Sequence, residues 1–148
     1  MINGVPKNIE ELKKKAGNKA NWRERLKAVQ ELGQYNCQQS RDILTNLAIH
    51  DNVFTVKEAA FRAAQAMGVT KNGKQLYLGK KPKGNLVKGI SKKLVHVRDF
   101  LPEEYTLDDF KAEFKRQYPV EYDVYEGDKQ KRFDKWLENV TSSLPKKK

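Results

Sequence analysis

The chain has 148 residues, a third of them charged, with a formal net charge of +11 at pH 7. That length suits one domain or one domain with an appendage, and lets a fold bury roughly 68–70% of the unfolded chain's surface, so a core can form without staples. One cysteine, Cys37, excludes an internal disulfide, and neither an apolar run of membrane-span length nor a basic-then-apolar leader after Met1-Ile2-Asn3-Gly4 is present, so a cytoplasmic chain with no membrane partner is expected.

Residues 8–16 are predicted as a helix, with Asn8 as cap, Glu11 in capping-box position and Ile9 and Leu12 as a short apolar stripe. Lys13, Lys14 and Lys15 suit the dipole of its last turn before Gly17. A second helix follows Asn21, with Trp22, Leu26, Val29 and Leu32 on one face and Gly33 just past its end. Ser40 is the expected cap of a third helix, whose apolar positions are Ile43, Leu44, Leu47 and Ala48 and which stops near His50-Asp51. Cys37 reads as a small residue flanking that helix, and Asp51 as a cap between helices. A fourth helix runs from residue 54 or 55 to Met67 and closes at Gly68. Its face of Val56, Ala59, Ala60, Ala63, Ala64 and Met67 is so rich in alanine that a neighbouring backbone is expected to come close.

Residues 69–84 break the periodicity. Asn72-Gly73 is a hairpin signal, Gln75-Leu76-Tyr77-Leu78 suits a short strand, and Gly79, Pro82 and Gly84 punctuate the remainder. A connection of this length is uncommon inside a compact domain and is often functional. A fifth helix is predicted over 85–100, with Leu86, Ile90, Leu94, Val97 and Leu101 apolar. After Pro102, Thr106 caps a sixth helix, Asp108 and Asp109 complement its dipole, Phe110, Phe114 and Tyr118 line it, and Pro119 stops it. Residues 120–127, acidic and carrying Tyr122 and Tyr125, are expected to turn. A last helix over 128–143 is expected to bury Phe133, Trp136, Leu137 and Val140. Trp22 and Trp136 are both expected to be largely buried, and Lys146-Lys147-Lys148 reads as a frayed tail. With no convincing parallel strands, the fold class is all-α.

An internal repeat links the second and fourth helices. At an offset of 35 residues, Ala28 aligns with Ala63, Gln30 with Gln65 and Gly33 with Gly68. The run Asp51, Val56, Lys57, Ala59, Ala60, Ala63, Met67, Gly68 resembles the second half of a HEAT-repeat motif: an Asp between helices, Val and a basic residue, then an alanine-rich helix ending in Leu-Gly. Trp22 to Gly33 is similar to the same helix of a preceding repeat, although Trp22 stands where the motif carries a basic residue. The resemblance covers about residues 8–100. It implies a short α-solenoid of HEAT-like helical hairpins and a role in binding. In that register residues 40–50 and 69–100 are corresponding second halves. The second carries a basic insertion at 69–84, on the kind of loop that often forms a binding face. Residues 101–148 are then a C-terminal helical extension capping the array.

The charge is segregated. Residues 59–98 hold ten Lys or Arg and no Asp or Glu, whereas residues 1–58 sum to +3 and residues 99–148 to −2. Clustered positive charge attracts polyanions, whereas the same charges among carboxylates largely cancel. Besides Arg62, the window holds Lys71, Lys74, Lys80, Lys81, Lys83, Lys88, Lys92, Lys93 and Arg98, which are the candidate nucleic-acid-binding residues. Lysine is a point charge and lacks the bidentate fork that reads bases, so phosphate contact without strong sequence preference is expected. Tyr77 is able to stack on a base, although packing back onto the helices is its expected role. The alternative function is a protein–protein interaction scaffold that meets an acidic protein on its concave helical face. A helix-turn-helix in the C-terminal part is disfavoured by the mixed signs of Asp128, Lys129, Lys131, Arg132, Asp134 and Lys135.

No catalytic set is apparent. His50 and Asp51 are adjacent in sequence, which does not make an orienting pair, and His96 lies near Arg98 and Asp99 without a nucleophile. Zinc spacing, a phosphate loop and a nucleophile elbow are absent from the sequence. A non-enzymatic binding module is expected, with no cofactor, metal or small-molecule substrate.

Overall fold

The computed structural model describes residues 1–82, 84 and 86–145. The chain forms two compact units, Met1–Pro82 and Lys83–Lys148, each with its own apolar core. This division falls inside the basic window, whereas the sequence suggests a boundary near residue 100. The described residues are mainly helical, with two pairs of two-residue strands.

The first unit contains α1 (Ile9–Ala16), α2 (Trp22–Leu32), α3 (Gln38–His50) and α4 (Phe54–Ala66). Helix α1 packs against α2, α3 against α4, and α2 against α4. The helical pairs are therefore α1–α2 and α3–α4, one helix out of phase with the register drawn from the HEAT resemblance. Leu12, Val29, Leu32, Leu44, Val56 and Ala60 fill the core. The alanines of α4 do what small side chains permit: a β-carbon added at Gly33 would lie 3.3 Å from Ala63 Cβ.

Local capping differs from expectation at two helices. The Asn8 side chain makes no cap bond; its Nδ2 donates to Glu31 Oε2 of α2 at 3.4 Å instead. Helix α3 starts earlier than Ser40 because Cys37 is its cap, with the Ser40 amide donating to Cys37 Sγ at 3.5 Å. Ser40 lies inside the first turn and is fully buried. A parallel pairing that the sequence does not announce joins β1 (Ile2–Asn3) to β2 (Tyr35–Asn36). The hairpin signal holds: β3 (Thr70–Lys71) pairs antiparallel with β4 (Lys74–Gln75). Asn72 and Gly73 have φ of 53° and 76°, the signature of a type I′ turn. The second strand ends at Gln75, short of the predicted Leu78.

The second unit contains α5 (Ile90–Phe100), α6 (Leu107–Gln117), α7 (Pro119–Lys129), a 3₁₀ turn (Gln130–Arg132) and α8 (Phe133–Ser142). Helix α5 starts at Ile90 rather than 85. Gly89 at φ 74° is outside the helical region, and the amides of Leu86 and Val87 donate to Tyr125 Oη at 3.0 and 3.2 Å instead of entering a helix. Residue 85 itself lies outside the described residues. Thr106 and Asp109 form a reciprocal capping box on α6. Residues 120–127 are helical, not a turn: Pro119 occupies the first helical position, where its missing N–H costs nothing, and Val124 and Tyr125 are buried. The predicted last helix is accordingly split, α7 ending where Gln130 adopts φ 49°.

Aromatic edges hold this second core. Phe114 meets Tyr122 at 5.3 Å and Tyr122 meets Phe133 at 5.1 Å, both edge to face, the arrangement that the ring quadrupole favours. Trp22 is buried as expected. Trp136 is half-buried, because it covers Tyr125 as a stacked lid at 4.5 Å rather than entering the core.

Candidate functional site

The basic window is divided between the two units, and each part has its own local chemistry. In the first unit, Val69 and Leu76 are half-buried against the helical core and fasten the base of the β3–β4 hairpin. Beyond that base, Lys71, Lys74, Lys80 and Lys81 are exposed. Lys71 and Lys74 are direct cross-strand partners, so two like charges face each other, an arrangement that destabilises a ladder unless a counter-charge is present. Among the described residues none forms an ion pair with Lys71, Lys74 or Lys80.

Tyr77 departs most from expectation. Its side chain is 89% exposed and does not pack onto the helices. Gly79 has φ +78°, and a β-carbon there would lie 3.6 Å from Tyr77 Cε1. The chain therefore bends back beside the ring before Lys80 and Lys81.

In the second unit, Lys88 and Lys92 are exposed, but two of the candidate cations are committed to packing. Lys93 Nζ lies 3.0 Å from Glu121 Oε2 of α7 and 5.5 Å from the centre of the Tyr118 ring. Arg98 Nη2 lies 3.1 Å from Asp99 Oδ1, and Nη1 donates to the Pro145 carbonyl. Acids thus neutralise part of the α5 charge that the sequence shows as uncompensated. His96 Nδ1 sits 3.1 Å from Tyr118 Oη. Lys83 and the tail Lys146–Lys148 lie outside the described residues.

A feature of the first unit that sequence reasoning missed is an open polar groove of about 540 Å³ along the outer side of α3, walled by Arg41, Asp42, Asn46, His50 and, at the hairpin base, Thr70. The signal for it was present: polar residues at 38, 42, 46 and 50 recur every four positions, opposite Leu44, Leu47 and Ala48. Arg41 is held at its edge, Nε donating to Asn36 Oδ1 at 3.0 Å and Nη2 to the Met67 carbonyl at 3.3 Å.

Asp51, adjacent to His50, does not orient that histidine. Its two oxygens receive Arg25 Nε and Nη2 at 2.8 and 3.2 Å, and Oδ1 also accepts the Val53 amide at 2.9 Å. Its role is to close the α3–α4 connection. Among the described residues no three His, Cys, Asp or Glu side chains gather to hold a metal ion, and no helix is long and apolar enough to cross a membrane. Comparisons with protein families, with curated proteins and with solved structures find no match.

Proposed function

We propose that this chain is a non-enzymatic binding module that contacts nucleic acid through the exposed lysines of residues 69–98, without strong sequence preference. One observation carries the reading: Lys71 and Lys74 on the anchored hairpin, and Lys80 after it, are exposed, and among the described residues none forms an ion pair with them. In the second unit Lys88 and Lys92 are also exposed, whereas Lys93 and Arg98 contribute less because each already has a carboxylate partner. As a finer reading of the first unit, we take α1–α4 as two HEAT-like hairpins of a short solenoid. The packing of α1 on α3 and of α2 on α4 supports this, since equivalent helices of successive repeats stack in such arrays.

Retardation of labelled nucleic acid at ~50 mM salt tests the function. Binding is expected to weaken with a log–log salt slope of about −3 to −4 if four lysines each neutralise a phosphate. The triple variant Lys71→Glu, Lys74→Glu, Lys80→Glu is expected to abolish it. A wild-type chain that leaves nucleic acid unretarded at that salt overturns the proposal. Equal retention on poly-glutamate would move the assignment to an acidic protein.

A further inference from the structure

We infer that residues 69–82 form a platform for single-stranded nucleic acid, with Tyr77 as the residue on which a base stacks. This deepens the nucleic-acid reading and rests on it.

Tyr77 is the most exposed large hydrophobic side chain among the described residues, at 89% against 65% for Phe100 and Met1. Leaving such a ring in water forgoes the burial free energy that tyrosines such as Tyr125 gain in the second core. The fold does not need the ring for anchoring, because Leu76 immediately before it supplies the contact with the core. The backbone is shaped around it. Gly79 at φ +78° approaches the ring edge, a bend that a β-branched side chain would resist. Lysines stand on both sides in sequence, Lys71 and Lys74 before and Lys80 and Lys81 after.

An aromatic face flanked in sequence by ammonium groups matches a chain whose flat, weakly polar bases alternate with phosphates. The two ends of that complementarity separate single strands from duplexes. Phosphates are available on both, and lysines do not distinguish them. Base faces are available only where the strand is unpaired, since in a duplex each face is covered by its neighbours. A ring offers its face to any base, so the platform is sequence-tolerant, in keeping with lysines that lack a reading fork. The repulsion between the paired Lys71 and Lys74 is relieved when a phosphate lies between them.

The test is a fluorescence-anisotropy titration of a labelled single strand and of the duplex of the same length, both at ~50 mM salt. The proteins are the wild type and the single variants Tyr77→Ala, Tyr77→Phe and Tyr77→Leu. Because the side chain is exposed, all four are expected to give the same circular dichroism and thermal midpoint. The single strand is expected to bind more tightly than the duplex. Tyr77→Ala is expected to lose about 5- to 150-fold on the single strand, the range for one stacked base, and to leave the duplex unchanged. Tyr77→Phe keeps the ring face and its affinity. Tyr77→Leu keeps apolar area without the face and falls with alanine. If Tyr77→Ala matches wild type on the single strand, or loses as much on the duplex, stacking is overturned while the lysine-based function stands. If neither nucleic acid binds the wild type, both are overturned.

Discussion

Arg25 of α2 and Asp51 of the α3–α4 connection form a bidentate ion pair with side chains 6% and 2% exposed. Nη1 of the same arginine reaches the Asn18 carbonyl at 2.8 Å, so one guanidinium ties the α1–α2 connection to the α3–α4 connection. A charge this far from water is tolerable because its donors are matched: the fork meets both carboxylate oxygens and a backbone acceptor.

Removing one partner strands the other. Asp51→Ala and Arg25→Met are each expected to destabilise the first unit by about 3–5 kcal/mol. Arg25→Met combined with Asp51→Leu is expected to be less destabilised than the two single losses predict, because neither charge is left alone. Urea unfolding midpoints of the three variants check this, and additive losses would show that the pair is not coupled.

Gly33 and Gly68 align in the repeat but serve different needs. Gly33 is in ordinary right-handed geometry at φ −63°, and its constraint is space: an added β-carbon meets Val29 O at 3.2 Å and Ala63 Cβ at 3.3 Å. Gly68 has open space around it but φ +72°. Gly33→Ala is expected to cost about 1–3 kcal/mol and to be partly rescued by Ala63→Gly. Gly68→Ala is expected to cost about 1–2 kcal/mol, to ignore Ala63→Gly, and to be relieved in Gly68→Asn, since asparagine visits the left-handed region readily. Thermal melts of the five variants distinguish the two.

Tyr125 Oη accepts the amides of Leu86 and Val87 just ahead of α5. Tyr125→Phe keeps the stacked contact with Trp136 and removes the acceptor. A loss of about 1–3 kcal/mol is expected, with faster amide exchange concentrated at residues 86 and 87. Unchanged exchange at those two positions would refute the role.

Two groups tie the stability of the second unit to pH. The hydrogen bond from Arg116 holds the Glu113 carboxyl below its ordinary 4.5. Its contribution is present above that value and is lost as the pH falls through the depressed folded value. The hydrogen bond to Asp134 raises Lys111 above its ordinary 10.5. That contribution is present below 10.5 and is lost as the pH rises through the elevated folded value. In denaturant titrations across pH, Glu113→Gln is expected to be less stable than wild type at neutral pH and to converge with it in acid. Lys111→Met is expected to converge with wild type only in strong base.

The order of elements was legible from residues near one another in the chain. The apolar stripes of α2 and α4, the capping box at Thr106 and Asp109, the Asn72-Gly73 turn and the acid-free basic window are all local patterns, which is why they predict the all-α class, the hairpin and the placement of charge. The acidic run that forms α7 misled because Tyr122 and Tyr125 owe their helix to a core assembled from α5, α6 and α8. What the tertiary structure decided depends on partners remote in sequence. Arg25 finds Asp51 across 26 residues, and Lys93 finds Glu121 across 28, turning one expected surface cation into a packing element. Tyr77 went the other way, into solvent, because Leu76 had already supplied the contact with the core. Composition counts charges and rings, but whether each is neutralised, buried or presented is set by what the fold brings beside it.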